Sequence, residues 1–99
     1  MDIEEVKKEI SKILKEELPQ SFGAFFFGSR VTGTASERSD LDVGIESPDG
    51  KTLPSDVLSK IKNRCEALPT LYMIDVVDFA NISKDFRKVA KTKIEIIIQ

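Results

Sequence analysis

Asp40 and Asp42 stand one residue apart in "SDLDVGIE", and ten residues before them the chain carries Gly28-Ser29 at the end of the apolar run "FGAFFF". Side chains alternate faces along a strand, so a strand spanning 40–45 projects Asp40 and Asp42 to one side and Leu41, Val43 and Ile45 to the other. Two carboxylates held that closely repel, and one is driven to take up a proton unless a cation compensates them. The cation that suits such oxygens is a hard divalent ion such as Mg2+, which keeps coordination positions for a phosphate ligand. A glycine–serine turn opening a helix offers free backbone N–H groups and a hydroxyl to a phosphate, and Gly28 has no Cβ to hold a ligand off the backbone. Asp75, inside "MIDVV", adds a third acid from a later strand. If that strand lies beside the Asp40 strand, the set is equipped for metal-assisted phosphoryl or nucleotidyl transfer, with two acids holding metal and the third polarising the attacking hydroxyl.

The elements that must position these groups are readable from periodicity. Ile3, Val6, Ile10, Ile13, Leu14 and Leu18 make one stripe on a helix from Asp2 to Leu18, which Pro19 ends. Phe22–Phe27 reads as a buried strand and Ser29–Thr34 as a short helix capped by Ser29. The polar loop "ASERS" then leads into the strand Asp40–Ile45. "ESPDGK" is a turn by composition, and Ser55–Leu68 a helix with Val57, Leu58, Ile61, Cys65 and Leu68 on one face. Leu71–Phe79 reads as a third strand, with Asp78 near its end in a structural or solvated role. Ser83 caps a helix in "KDFRKVAK", and "KIEIII" forms a fourth strand. Helix and strand alternate throughout, giving an α/β or α+β fold of helices packed on a small mixed sheet. The expectation is one domain over residues 1–99, without repeats or linkers.

Composition excludes several classes. The chain has 99 residues, 40% apolar and 32% charged, with a net charge of −2. That is the balance of a soluble globular domain, expected in the cytoplasm, and the sign argues against a nucleic-acid-wrapping protein. No run is long and apolar enough for a membrane span, and "MDIEEVKKEI" reads as a charged helix rather than a leader. Histidine is absent, which removes Ser-His-Asp and Cys-His catalysis and histidine-based zinc sites. The single cysteine, Cys65, reads as a small core residue. Lys84, Lys88, Lys91 and Lys93 read as a solvated surface.

"GSRVTGTASERSDLDVGI" together with "IDVVDF" resembles the signature of the nucleotidyltransferase superfamily related to DNA polymerase beta. The compact length is similar to its minimal nucleotidyltransferases, the antitoxin-type partners of HEPN-domain proteins. The resemblance covers residues 22 to 98. It implies a polymerase-beta-palm-like fold in which Gly28 and Ser29 hold the nucleotide's phosphates, Asp40 and Asp42 bind metal, and Asp75 is the third carboxylate. Arg30 matches a basic residue common in the minimal branch and is expected to touch a phosphate, and Gly33 matches the motif's second glycine. As a lone domain without a second one to present an acceptor, the chain is expected to need a HEPN partner, transferring AMP from ATP to a partner tyrosine. The competing readings are a non-catalytic antitoxin acting by occlusion, a transferase acting on a small-molecule antibiotic, and an α/β domain without catalysis.

Overall fold

The computed structural model describes residues 1–32 and 40–99. Helix α1 (Ile3–Glu17) begins at a capping box in which the Asp2 carboxylate accepts from the Glu5 N–H and the Glu5 side chain accepts from the Asp2 N–H. Strand β1 (Gly23–Phe27) runs into a short helix α2 (Ser29–Thr32), followed by β2 (Leu41–Glu46), α3 (Ser55–Glu66) and β3 (Ile74–Asp78). A 3₁₀ turn at Phe79–Asn81 leads to α4 (Lys84–Ala90) and β4 (Glu95–Ile98). Ser83 caps α4 as its position suggests, its hydroxyl accepting from the Phe86 N–H. Among the described residues, no helix is long and apolar enough to cross a membrane.

The strands form one mixed sheet in the order β3-β2-β1-β4. β1 is antiparallel to both β2 and β4, while β2 and β3 run parallel. A parallel pair needs a crossover, and α3 supplies it. α1 and α3 cover one face of the sheet, where Ala24, Phe26, Leu41, Val43, Ile45 and Val76 meet Val6, Ile10, Ile13, Leu14, Ile61 and Cys65. Leu41, Val43 and Ile45 are fully buried, and burial of such side chains stabilises by about 1.5–3 kcal/mol each. Cys65 is a free thiol in this core, and burial pushes its pKa up to about 11.

Several expected boundaries shift. β2 starts at Leu41 rather than Asp40, because pairing begins where the Leu41 N–H donates to the Met73 carbonyl at 2.8 Å. β3 is shorter than the run 71–79: Leu71 and Met73 are exposed, and Phe79 leaves the strand for the 3₁₀ turn. Asp78 makes that turn. It is buried, and its carboxylate accepts from the N–H groups of Leu53 at 2.9 Å and Ala80 at 3.0 Å, tying the entry of α3 to the end of β3. α3 ends at Glu66, short of Leu68, and β4 begins at Glu95 rather than Lys93. Ser29 is the first residue of α2 rather than its cap, and the part of that expected helix beyond Thr32, with Gly33, lies outside the described residues.

The second face of the sheet carries a smaller aromatic cluster. Phe25 and Phe79 meet edge to face with centroids 4.9 Å apart, and Phe27 and Phe79 do so at 5.2 Å. Gly44 is what admits them, since a Cβ there would lie 2.5 Å from the Phe25 ring and 2.8 Å from that of Phe79. Gly44→Ala is therefore expected to destabilise the chain by about 1–3 kcal/mol. Chemical denaturation of the two proteins checks this, and an unchanged midpoint would contradict the packing described.

Candidate active site

Asp42 lies on that second face, where alternation along β2 puts it with Gly44 and Glu46, opposite to the buried Leu41, Val43 and Ile45. Antiparallel pairing sets Phe27 across from Asp42, and parallel pairing sets Asp75 across from it on the other side. The topology thus brings together two of the three expected acids from different strands. Asp42 is half-buried and Asp75 exposed at the sheet edge, although Asp75 stands within the apolar run "MIDVV". Asp40 precedes β2 and is exposed. Among the described residues no three acids enclose an ion by themselves.

The electrostatics follow from this placement. The Asp42 carboxyl is pushed from its ordinary value of 3.8 up to about 6, first by burial, then by the negative charge of Asp75 and then by that of Asp40. A half-buried carboxylate with like charges beside it is the condition that a divalent cation relieves. A Mg2+ ion is commonly held by one or two carboxylates plus substrate phosphates. The donors here, all carboxylate oxygens, fit such an ion once a triphosphate supplies the remaining oxygens.

Gly28 turns the chain from β1 into α2 at φ 83°, a left-handed conformation that glycine adopts at no steric cost. A Cβ at this position would lie 2.2 Å from Oδ2 of Asp42. The space that glycine leaves is thus used by the Asp42 carboxylate, a role that the sequence reading, with its phosphate at the backbone, missed. Ser29 follows at the start of α2, beside β1 and β2. The Arg30 guanidinium lies over the Tyr72 ring at 4.8 Å, which joins α2 to the segment leading into β3.

Gly28, Ser29, Asp42 and Asp75 line one cavity of about 470 Å³ with Phe27, Val77, Phe86, Val89 and Ala90. The size is that of a small-ligand site. A further group of residues that the sequence reading did not single out holds the far wall in place. Arg87 donates to Glu46 at 2.6 Å and to the Phe79 carbonyl at 2.6 Å, and Lys91 also donates to Glu46. These bonds clamp α4 over the aromatic cluster, with the Lys91 ammonium 5.5 Å from the Phe25 ring. Lys91 is thus more than a solvated lysine. Glu46 shares its face with Asp42, the period-2 signal that could have marked it.

The model of the nucleotidyltransferase domain family matches residues 7–98. The chain belongs to that family. Its chemistry is accordingly nucleotidyl transfer, and its mixed sheet with packed helices is the family's fold. A relative from Haemophilus influenzae, named as probable protein adenylyltransferase MntA, is 32% identical over 101 residues, covering 100% of this chain and 84% of the relative. Among solved structures, a toxin–antitoxin crystal structure with AMP-PNP superposes with a TM-score of 0.71 at 23% identity, over 92% of this chain and 71% of that one. A complex of tri-AMPylated Shewanella oneidensis HEPN toxin with MNT antitoxin gives a TM-score of 0.67 at 19% identity, over 95% of this chain and 70% of that one. At these identities the structural matches speak for the fold.

The raised pKa of Asp42 has a consequence for stability. A group whose folded-state pKa lies above its unfolded value favours folding while protonated, and that contribution is lost as pH rises from 3.8 through about 6. In metal-free buffer, Asp42→Asn is expected to melt higher than the wild type above pH 6, with the difference shrinking towards pH 4. A melting-temperature difference that is flat across this range would contradict the raised pKa and its assignment to burial and neighbouring charge.

Proposed function

We propose that the chain is a Mg2+-dependent nucleotidyltransferase that transfers AMP from ATP to a hydroxyl on a protein, a tyrosine of a HEPN-type toxin, and thereby acts as its antitoxin in the cytoplasm. The observation that carries the reaction class is the register of Asp42 against Asp75 beside Gly28-Ser29 within a family match spanning nearly the whole chain. The acceptor and partner rest on the protein adenylyltransferase name of the Haemophilus relative and on the toxin–antitoxin complexes whose fold this chain shares.

Asp40 and Asp42 are the proposed metal ligands, with Asp75 completing the acidic set. The bound ion would supply charge neutralisation on the phosphates and lower the barrier to displacement. The acceptor oxygen attacks the α-phosphorus as the bond to the bridging oxygen breaks, and pyrophosphate leaves in line. Asp75, exposed at the sheet edge, is placed to take the proton from the incoming hydroxyl. Gly28 and Ser29 hold the departing pyrophosphate through the backbone N–H groups and hydroxyl at the start of α2. Arg30, the next residue, is assigned to the same phosphates. Residues 1–99 act in this reading as one minimal transferase domain.

Exposure of Asp75 at an open edge fits an acceptor delivered on another protein rather than one enclosed by this chain. The test is transfer of labelled AMP to a co-purified HEPN partner. Asp42→Asn should keep the fold and reduce transfer on the order of 10³-fold or more. If Asp42→Asn lost transfer yet neutralised the toxin as well as the wild type, antitoxin action would be occlusion and the proposed mechanism of neutralisation would fail.

A further inference from the structure

The cavity at the acids has two chemically distinct ends. Asp42, Asp75, Ser29 and Gly28 form one, and Phe27, Val77, Phe86, Val89 and Ala90 the other. Phe86, Val89 and Ala90 fall three and four apart on α4, so they share one face of that helix. Phe86 is 46% exposed and Val89 74% exposed, although each lines this cavity. Exposed apolar groups beside a charged site mark a surface that a ligand covers.

The Phe86 ring is also held in one orientation. It meets Phe27 edge to face at 89° with centroids 6.3 Å apart, and it tilts at 59° to Phe79 at 6.2 Å. The Arg87 and Lys91 bonds to Glu46 fix the helix that carries it. A ring braced at its inner side and open at its outer side is a platform for a flat partner. No side chain at the apolar end of the cavity bears a hydrogen-bonding group, so this wall offers stacking and shape rather than readout of a base edge.

We propose that Phe86 and Val89 form the stacking wall for the base of the nucleoside triphosphate, and that this wall favours purines over pyrimidines. The inference rests on the transferase reading given above and extends it to two residues of α4. A nucleotide has the same two ends as the cavity, charged phosphates and a flat, largely apolar base. Because both ends belong to one molecule, phosphates held at Ser29 and Asp42 keep the base within the same cavity. An acceptor side chain is favoured less as the occupant, because its own protein supplies its apolar surroundings and only its hydroxyl needs to reach the acids.

The experiment is calorimetric titration of the full chain, with Mg2+, by ATP, UTP and inorganic tripolyphosphate. The wild type should bind ATP more tightly than UTP. Phe86→Ala should weaken ATP by roughly 5–50-fold, the range of one lost stacking contact, narrow the gap to UTP, and leave tripolyphosphate within about twofold. Val89→Ser, at a position too exposed to affect folding, should weaken ATP in the same direction with an unchanged melting temperature. ATP affinity unaltered in both variants would overturn the proposal, and if AMP transfer to the partner fell at the same time the wall would belong to the acceptor. A parallel loss of ATP and tripolyphosphate would also overturn it, since the effect would then reach the phosphate end. Failure of the wild type to bind Mg2+ with tripolyphosphate would instead strike the transferase reading itself.

Discussion

The parallel register of β2 and β3 sets Asp42 directly beside Asp75, and the rest of the site is arranged around that like-charge pair. Burial first, and then the charges of Asp75 and Asp40, push the Asp42 pKa up to about 6, so the charged pair left alone is unfavourable. The fold tolerates it because the same two strands bury Leu41, Val43, Ile45 and Val76 on their other face. A slip of one residue in either strand would turn those apolar side chains off the core face and the acids onto it. The hydrophobic core thus fixes the register, and the register fixes the site.

Two glycines serve this arrangement in different ways. Gly28 leaves room for the Asp42 carboxylate at the turn, and Gly44, two residues further along the same face, leaves room for the rings of Phe25 and Phe79. Those rings carry α4, which Arg87 and Lys91 fasten to Glu46. One strand, β2, therefore bears the acid, the gap for the aromatic floor and the anchor for the opposite wall. Its residues 42, 44 and 46 do so on one face while 41, 43 and 45 build the core on the other.

Much of this was legible in the chain. The stripe from Val6 to Leu14, the alternation of "LDVGI" and the placement of Ser83 each have a local physical cause, and each is found where that cause puts it. The acids are recognisable by type and order, but the adjacency of their strands is not, because pairing partners are set by tertiary packing rather than by local pattern. Asp40 illustrates the limit: backbone pairing starts one residue later, which no side-chain periodicity encodes. The role of Asp78 in bonding Leu53, and the clamp on Glu46, join residues 25 and 41 or more positions apart, a separation that composition and spacing do not reach. The missing Cβ of Gly28 is legible in the sequence, but the neighbour that uses the space, Asp42, comes from another strand.

The proposal at the centre of this account is that Asp42 and Asp75 form a carboxylate pair whose negative charge is balanced by a divalent cation that also binds the triphosphate. Its most direct measurement is the titration of the Asp42 carboxyl carbon by NMR, in metal-free buffer and then with Mg2+ and a non-hydrolysable triphosphate. The account predicts a midpoint near 6 without metal and a fall of more than about one pH unit when both are present, because a bound cation favours the charged form. A midpoint that starts high and does not move with Mg2+ and nucleotide would contradict it.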